Sequence, residues 1–301
     1  MLTPKSVQVI EVGPRDGFQN IKTSIPTEVK IQEIELLLDA GVQTLQITSF
    51  VSPRAVPQMA DAKEVTCEIL RRKKRAKLFA LVPNSRGAEN ALSCGLTSVS
   101  FVISASDAHN RANTRMSTEE SCKALSDLIR NYPELRVRVD IATSFGCPFD
   151  GEIPMEKVYR VADAAVSAGV QKIMFCDTIG TGNPKQVAEF CEAVQKRYHI
   201  PFGFHFHDTR GMGLANILTA MQYGVASYET SVGGLGGCPF APGAAGNTAT
   251  EDLLNMLSAM GIQHGCDITK YLTAVAYVKK HIASDLPSHL YPAMKACGSQ
   301  L

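Results

Sequence analysis

The chain has 301 residues, a formal net charge of +1, 45% hydrophobic residues and 20% charged residues. That length can bury a full core as one large α/β domain or as two. The near-neutral balance argues against nucleic acid as a partner, and no apolar run reaches membrane-spanning length.

The predicted elements alternate. Val7 to Val12 reads as a strand ending at Gly13-Pro14, and Thr27 to Ala40 has helical periodicity closed by Gly41. Thr44–Phe50, Lys77–Val82, Ser98–Ser104, Arg136–Ala142, Lys172–Cys176, Phe202–His207 and Ser227–Val232 read as the next seven strands. Between and after them, helices are expected over Ala60–Arg72, Ser85–Cys94, Ser117 through Leu128 (Ser117 and Glu120 form a capping box), Pro154–Ala168, Pro184–Lys196, Gly213–Tyr223 and Thr250–Met260. The basic run at 71–75 falls on a helix end, where the dipole favours cations. Eight βα units in a row predict an α/β fold, a (β/α)8 TIM barrel, with a doubly wound open sheet as the alternative. One domain is expected over 1–301, with the barrel to about 265 and a C-terminal helical extension over about 266–301 that includes Ile268–Ile282.

In such a barrel, chemistry gathers at the C-terminal ends of the strands. The polar residues expected there are Arg15, Asp16 and Gln19 after strand one, and Gln46, Thr48 and Ser49 on strand two. Arg138 is expected from strand five, Asp177 and Thr178 from strand six, and His205, His207 and Asp208 from strand seven. The stretch Ser231 to Asp252, SVGGLGGCPFAPGAAGNTATED, is dense in glycine and adds Cys238 and Asn247. Backbone of that composition adopts unusual torsions or closes over something.

His205 and His207 lie two apart on a strand and so share a face, with Phe204 and Phe206 turned to the helices. With Asp16 at the same rim they make a mixed N/O metal site that suits Mg²⁺ or Mn²⁺, Zn²⁺ and Co²⁺ also being compatible; the competing reading is a pair of hydrogen-bonded core histidines. Asn247 is either an amide-oxygen ligand or a helix N-cap. Arg15 is a fixed cation for a carboxylate or a developing enolate, or else a partner for a rim acid. Asp177 either supports the site or caps the next turn. Cys238 is an acid/base or nucleophile, or a loop thiol without a catalytic role. The other eight of the nine cysteines show no CxxC zinc spacing, and the N-terminus shows no signal-peptide pattern. They read as reduced thiols of a cytoplasmic protein.

At these residues the chain resembles the 3-hydroxy-3-methylglutaryl-CoA lyases over nearly its whole length. The matching motifs are GPRDGFQN (13–20), TSFVSPRAVPQM (48–59), FCDTIGTG (175–182), HFHDTRG (205–211) and the cysteine-bearing glycine loop. The resemblance implies that Asp16, His205, His207 and Asn247 hold a divalent metal, Mg²⁺ or Mn²⁺. It implies that Arg15 stabilises the enolate of an acyl-CoA, that Cys238 takes part in proton transfer, that Asp177 supports the site, and that the reaction is a retro-Claisen cleavage. Gln19, Gln46 and Arg138 join Arg15 as expected substrate contacts, and a homodimer is expected. The chain departs from the family pattern at Gln46, where a glutamate is usual, and at Phe18, Ile21 and Arg210. Gln46 and Phe18 lie near the expected substrate, so citramalyl-CoA or a longer 3-hydroxy-3-alkylglutaryl-CoA is the alternative substrate. A pyruvate-using aldolase acting on 4-hydroxy-2-oxo acids and a non-enzymatic barrel are competing readings. The tail cysteine Cys297 is read as an exposed thiol.

Overall fold

The computed structural model describes residues 3–72, 75–237 and 246–297. Cys238 therefore lies outside the described residues. Eight parallel strands close into a barrel in chain order. They are β1 (Gln8–Glu11), β2 (Thr44–Ser49), β3 (Lys77–Leu81), β4 (Ser98–Ser104), β5 (Arg136–Ala142), β6 (Ile173–Asp177), β7 (Phe202–Phe206) and β8 (Ser227–Thr230). β1 pairs with both β2 and β8, which closes the ring and leaves no open edge.

The helices are α1 (Thr27–Asp39), α2 (Ala62–Arg71), α3 (Ser85–Ser93), α4 (Asp107–Thr114), α5 (Thr118–Asn131), α6 (Met155–Ala168), α7 (Pro184–Arg197), α8 (Gly213–Gln222), α9 (Thr250–Ala259), α10 (Ile268–His281) and α11 (Leu290–Ala296). The Ser117–Glu120 capping box opens α5, and Gly169 closes α6. None of the helices among the described residues is long and apolar enough to cross a membrane.

Three differences from the expected elements have local causes. The helix α4 was not anticipated, because its sequence DAHNRANT carries no apolar stripe; Ser106 caps it by accepting the His109 N–H. β7 stops at Phe206 because His207 instead forms an isolated bridge with Asn247. β8 stops at Thr230 because the chain turns over Val232–Gly234, with Gly233 at a φ of 65°.

The two faces of the barrel wall differ in kind. Toward the helices the strands are apolar: Phe204 and Phe206 stack at 4.9 Å, and Phe145 stacks on Phe190 of α7 at 4.7 Å. Inside, among the described residues, Ile10, Val12, Phe79 and Met174 form a small apolar cluster. Much of the remaining lumen is polar and charged.

A buried set of carboxyls sits behind β1. Glu11 accepts from the Gly13 and Val232 N–H groups at 2.7 and 3.0 Å with one oxygen. With the other it accepts from Thr250 Oγ1 at 2.7 Å and the Tyr271 hydroxyl at 2.5 Å. Glu251 accepts the Gly233 N–H at 3.0 Å. Burial raises the pKa of Glu11 against these hydrogen bonds, raises Glu33 well above the usual range with the charges of Glu11 and Glu251 adding to it, and lifts Glu251 to about 7.

Because the folded chain holds the Glu251 proton more tightly than an unfolded chain does, stability falls as pH rises from about 4.5 through about 7. Glu251→Gln has no proton to lose there. Urea unfolding at pH 4.5 and pH 8 should show a smaller loss for this variant than for the wild type, by roughly 1–3 kcal/mol. Glu11 and Glu33 supply the slope that remains. An unchanged slope would show that Glu251 is ionised throughout that range.

Candidate metal centre and active site

The chain leaves β1 through a π-helical turn, Gly13–Gly17, in which the Arg15 and Asp16 N–H groups both return to the Val12 carbonyl. A side chain at position 13 would collide with Glu11 Oε1 and Val232 Cγ1, each 2.7 Å from where its Cβ would stand. The tight turn brings Arg15 and Asp16 over the barrel mouth, both buried.

Asp16 is surrounded by donors. Its Oδ1 accepts from Arg15 Nη1 at 2.5 Å and from Gln19 Nε2 at 3.1 Å, and its Oδ2 accepts from Asn247 Nδ2 at 2.8 Å. Arg15 Nε donates to Gln46 Oε1 at 2.5 Å, and Gln46 Nε2 donates to Ser100 Oγ at 2.8 Å. Burial alone would raise the Asp16 pKa, but the Arg15 charge, both histidines and the Asn247 hydrogen bond more than offset it and hold the carboxyl below its ordinary range. Asp16 is thus a carboxylate.

His205 and His207 face the same mouth, with ring centroids 5.1 Å apart. Burial lowers the pKa of both, His205 to about 3, so both rings are neutral near pH 7. His205 Nδ1 lies 2.9 Å from Glu229 Oε2, which leaves Nε2 as its ligand atom. Ligand atoms of Asp16, His205 and His207 all lie within 4.8 Å of one another. Two buried polar atoms beside them have no hydrogen-bond partner: His207 Nδ1 and Asn247 Oδ1. A buried polar atom without a partner is costly, and an imidazole nitrogen and an amide oxygen are both atom types that can bind a metal ion. The donor set is two imidazoles, one carboxylate and one amide oxygen, which fits a divalent cation.

Asn247 reaches this place from the far side of the glycine stretch. Its Nδ2 also donates to the Leu235 carbonyl at 2.9 Å, and a side chain at position 236 would run into that amide; Gly236 has a φ of 141°. Asn20 Nδ2 ties the other end by donating to the Gly237 carbonyl at 3.1 Å.

The other expected residues fall in different places. Asp177 is buried, and its two oxygens accept the Thr181 and Gly182 N–H groups at 3.0 and 2.9 Å. It therefore builds the turn after β6, and burial lifts its pKa to about 6. Asp208 accepts the Gly213 N–H at 2.6 Å at the start of α8. Arg138 was expected at the C-terminal end of β5. It is instead the third residue of a seven-residue strand, and it lies within the lumen below the mouth. There its guanidinium pairs with Glu229 Oε1, lies 3.2 Å from Asp140 Oδ1, and sits 4.0 Å above the Phe79 ring. Burial is the first cause of its lowered pKa.

Glu229, Asp140 and Ser100 were not anticipated. The signal for Glu229 lies in the strand register: on β8 it pairs with His205 of β7, and Ser227 and Glu229 alternate with Tyr228 and Thr230. An acid at an inward strand position beside an inward histidine is the pattern of a carboxylate–histidine–metal relay.

A family model described as HMGL-like matches residues 6–278. This chain belongs to the HMGL-like family. It is a carbon–carbon lyase of that family, and the family depends on a divalent metal. Among its relatives, the hydroxymethylglutaryl-CoA lyase YngG of Bacillus subtilis is 42% identical over 296 residues, covering 97% of this chain and 99% of that protein. The (R)-citramalyl-CoA lyase of Chloroflexus aurantiacus is 38% identical over 296 residues, covering 94% and 93%. An HMG-CoA lyase of Acinetobacter baumannii, solved with coenzyme A and 3-methylmalate, superposes with a TM-score of 0.92 at 36% identity, covering 96% of this chain and 95% of that one.

Glu229→Gln keeps the size of the side chain and removes the charge that orients His205. Metal affinity measured by calorimetry should fall by about 10–100-fold while the fold persists. Affinity equal to that of the wild type would mean that His205 needs no carboxylate behind it.

Proposed function

We propose that this chain cleaves 3-hydroxy-3-methylglutaryl-CoA to acetyl-CoA and acetoacetate by a retro-Claisen reaction, with Asp16, His205, His207 and Asn247 holding Mg²⁺ or Mn²⁺. The observation that carries the proposal is the buried carboxylate with two neutral histidines and two unpartnered ligand atoms at the barrel mouth. When bound, the ion supplies Lewis acidity toward the tertiary hydroxyl and the carboxylate of the substrate.

The remaining work falls to the side chains. Arg15 is held at Nε by Gln46 and at Nη1 by Asp16, so its guanidinium is fixed before substrate arrives. A fixed cation that needs no reorganisation stabilises the enolate oxygen as charge develops there. Gln19 and Gln46 line the same corner and orient the acyl group. Cys238 takes part in proton transfer to the acetyl-CoA enolate carbon. Asp177 holds the turn after β6 in place. Arg138 acts on the substrate only through Glu229 and His205. A cytoplasmic homodimer completes this reading; light scattering on the purified protein tests the dimer.

One observation favours a second substrate. Gln46 is neutral, so Arg15 has one carboxylate, Asp16, in contact and keeps more of its charge for a ligand than it would beside a glutamate. A differently shaped or more polar 3-hydroxyacyl group, as in citramalyl-CoA, would use that charge.

Acetyl-CoA release with Mg²⁺ or Mn²⁺, measured on HMG-CoA and citramalyl-CoA side by side, separates the two substrates. Cleavage of HMG-CoA at the higher kcat/KM upholds the proposal, and turnover of citramalyl-CoA alone moves the substrate while keeping the chemistry. No release from either substrate by metal-loaded protein would overturn it.

Removing metal with EDTA should abolish activity, and Asp16→Asn should lower kcat by at least about 100-fold. Arg15→Lys, which cannot span Gln46 and Asp16 with one planar fork, should lower kcat by about 10²–10³-fold with a smaller change in KM. A change confined to KM would mean that Arg15 binds the ground state only.

A further inference from the structure

Outside the site, one pair of reactive side chains stands together. Cys67 lies on α2 and is exposed, and Cys94 caps the C-terminus of α3 and is half-buried; both are free thiols. The Cys94 Sγ lies 3.9 Å from the Lys63 carbonyl, which is one turn before Cys67 on the same helix. Cys67 is close enough to act on the Cys94 thiol, raising its pKa alongside burial. Cys94 Sγ therefore sits against the turn of α2 that carries Cys67, and a solvent-open thiol on that turn needs little backbone movement to bond with it.

We propose that Cys67 and Cys94 form a reversible disulfide that pins α2 to α3 across β3, made by exchange with a low-molecular-weight disulfide such as oxidised glutathione. The steps balance. The exposed Cys67 thiol loses its proton and attacks one sulfur of the small disulfide, forming a mixed disulfide, while the other sulfur leaves as thiolate and takes up the proton as one equivalent of thiol. The Cys94 thiol then loses its proton and attacks Cys67 Sγ of the mixed disulfide, releasing the second equivalent. The protein loses two hydrogens and two electrons, and the small disulfide gains both.

The order follows from exposure. Cys67 is the sulfur that a solute can reach. Burial, together with the neighbouring Cys67, pushes the Cys94 thiol up to about 11, so it is the slower nucleophile and acts once the mixed disulfide is held against it. Neither residue touches the metal centre, so the bond changes the outer helix layer and leaves the lyase chemistry in place.

The test uses the full chain. After incubation with oxidised glutathione and quenching of remaining thiols, non-reducing peptide mapping of the wild type should give one cross-linked pair joining the Cys67 and Cys94 peptides. The intact mass should be two hydrogens lower at those positions. Cys94→Ser should stop at a glutathione adduct on Cys67, and Cys67→Ser should yield no link to Cys94. The oxidised wild type should melt several degrees higher than the reduced protein and return on treatment with dithiothreitol. A stable adduct on wild-type Cys67 without the cross-link, both thiols remaining free, or a link made instead to another cysteine would each overturn the proposal. Formation of the bond with a lowered melting temperature would overturn the pinning role.

Discussion

A carboxylate buried under the rim of a barrel stays ionised only if positive charge and N–H donors surround it. Asp16 is in that position, and much of the neighbouring structure can be read as the means of keeping it there. Arg15 is its immediate neighbour in sequence, so the counter-charge comes on the same turn. Gln46 fixes Arg15 from β2, Ser100 fixes Gln46 from β4, and Asn247 closes the opposite side from beyond the glycine stretch. Four widely separated segments meet because one acidic side chain has to be charged in a place that would otherwise protonate it.

The lumen below continues the same logic with charges that must cancel. Arg138 lies between Asp140 and Glu229, and Glu229 passes its second oxygen to His205. Losing Arg138 would leave two buried acids without their cation, which costs far more than the ion pairs contribute. The barrel can carry so polar a lumen because its apolar core is on the other side of the wall, between strands and helices, where the aromatic side chains of β7 pack against α7.

Much of this was legible in the sequence. The βα alternation, the glycine stops and the capping box at Ser117 are local signals, and local signals set where elements lie. The His205-x-His207 pair was legible because strand periodicity puts both rings on one face. Glu229 and Asp140 were passed over because an acid inside a strand is informative only once the register of the neighbouring strand is known. Arg138 was assigned to the mouth although it is third in a seven-residue strand, and depth along a barrel axis depends on stagger between strands, which no single segment records. For Asn247, left between ligand and cap, the structure removes the cap, since the residue before α9 is Ala249, and the side chain instead donates to Asp16, 231 positions away, a long-range fact that no local signal carries.

The hydroxyl of Tyr271 bears on what the C-terminal helices are for. It reaches Glu11 from α10, and Glu11 is the anchor for both Gly13 at the head of the catalytic turn and Val232 at the root of the glycine stretch. A helix outside the eightfold repeat thus acts as the keystone of the mouth: one hydroxyl from α10 braces the carboxyl on which the turn bearing Arg15 and Asp16 stands.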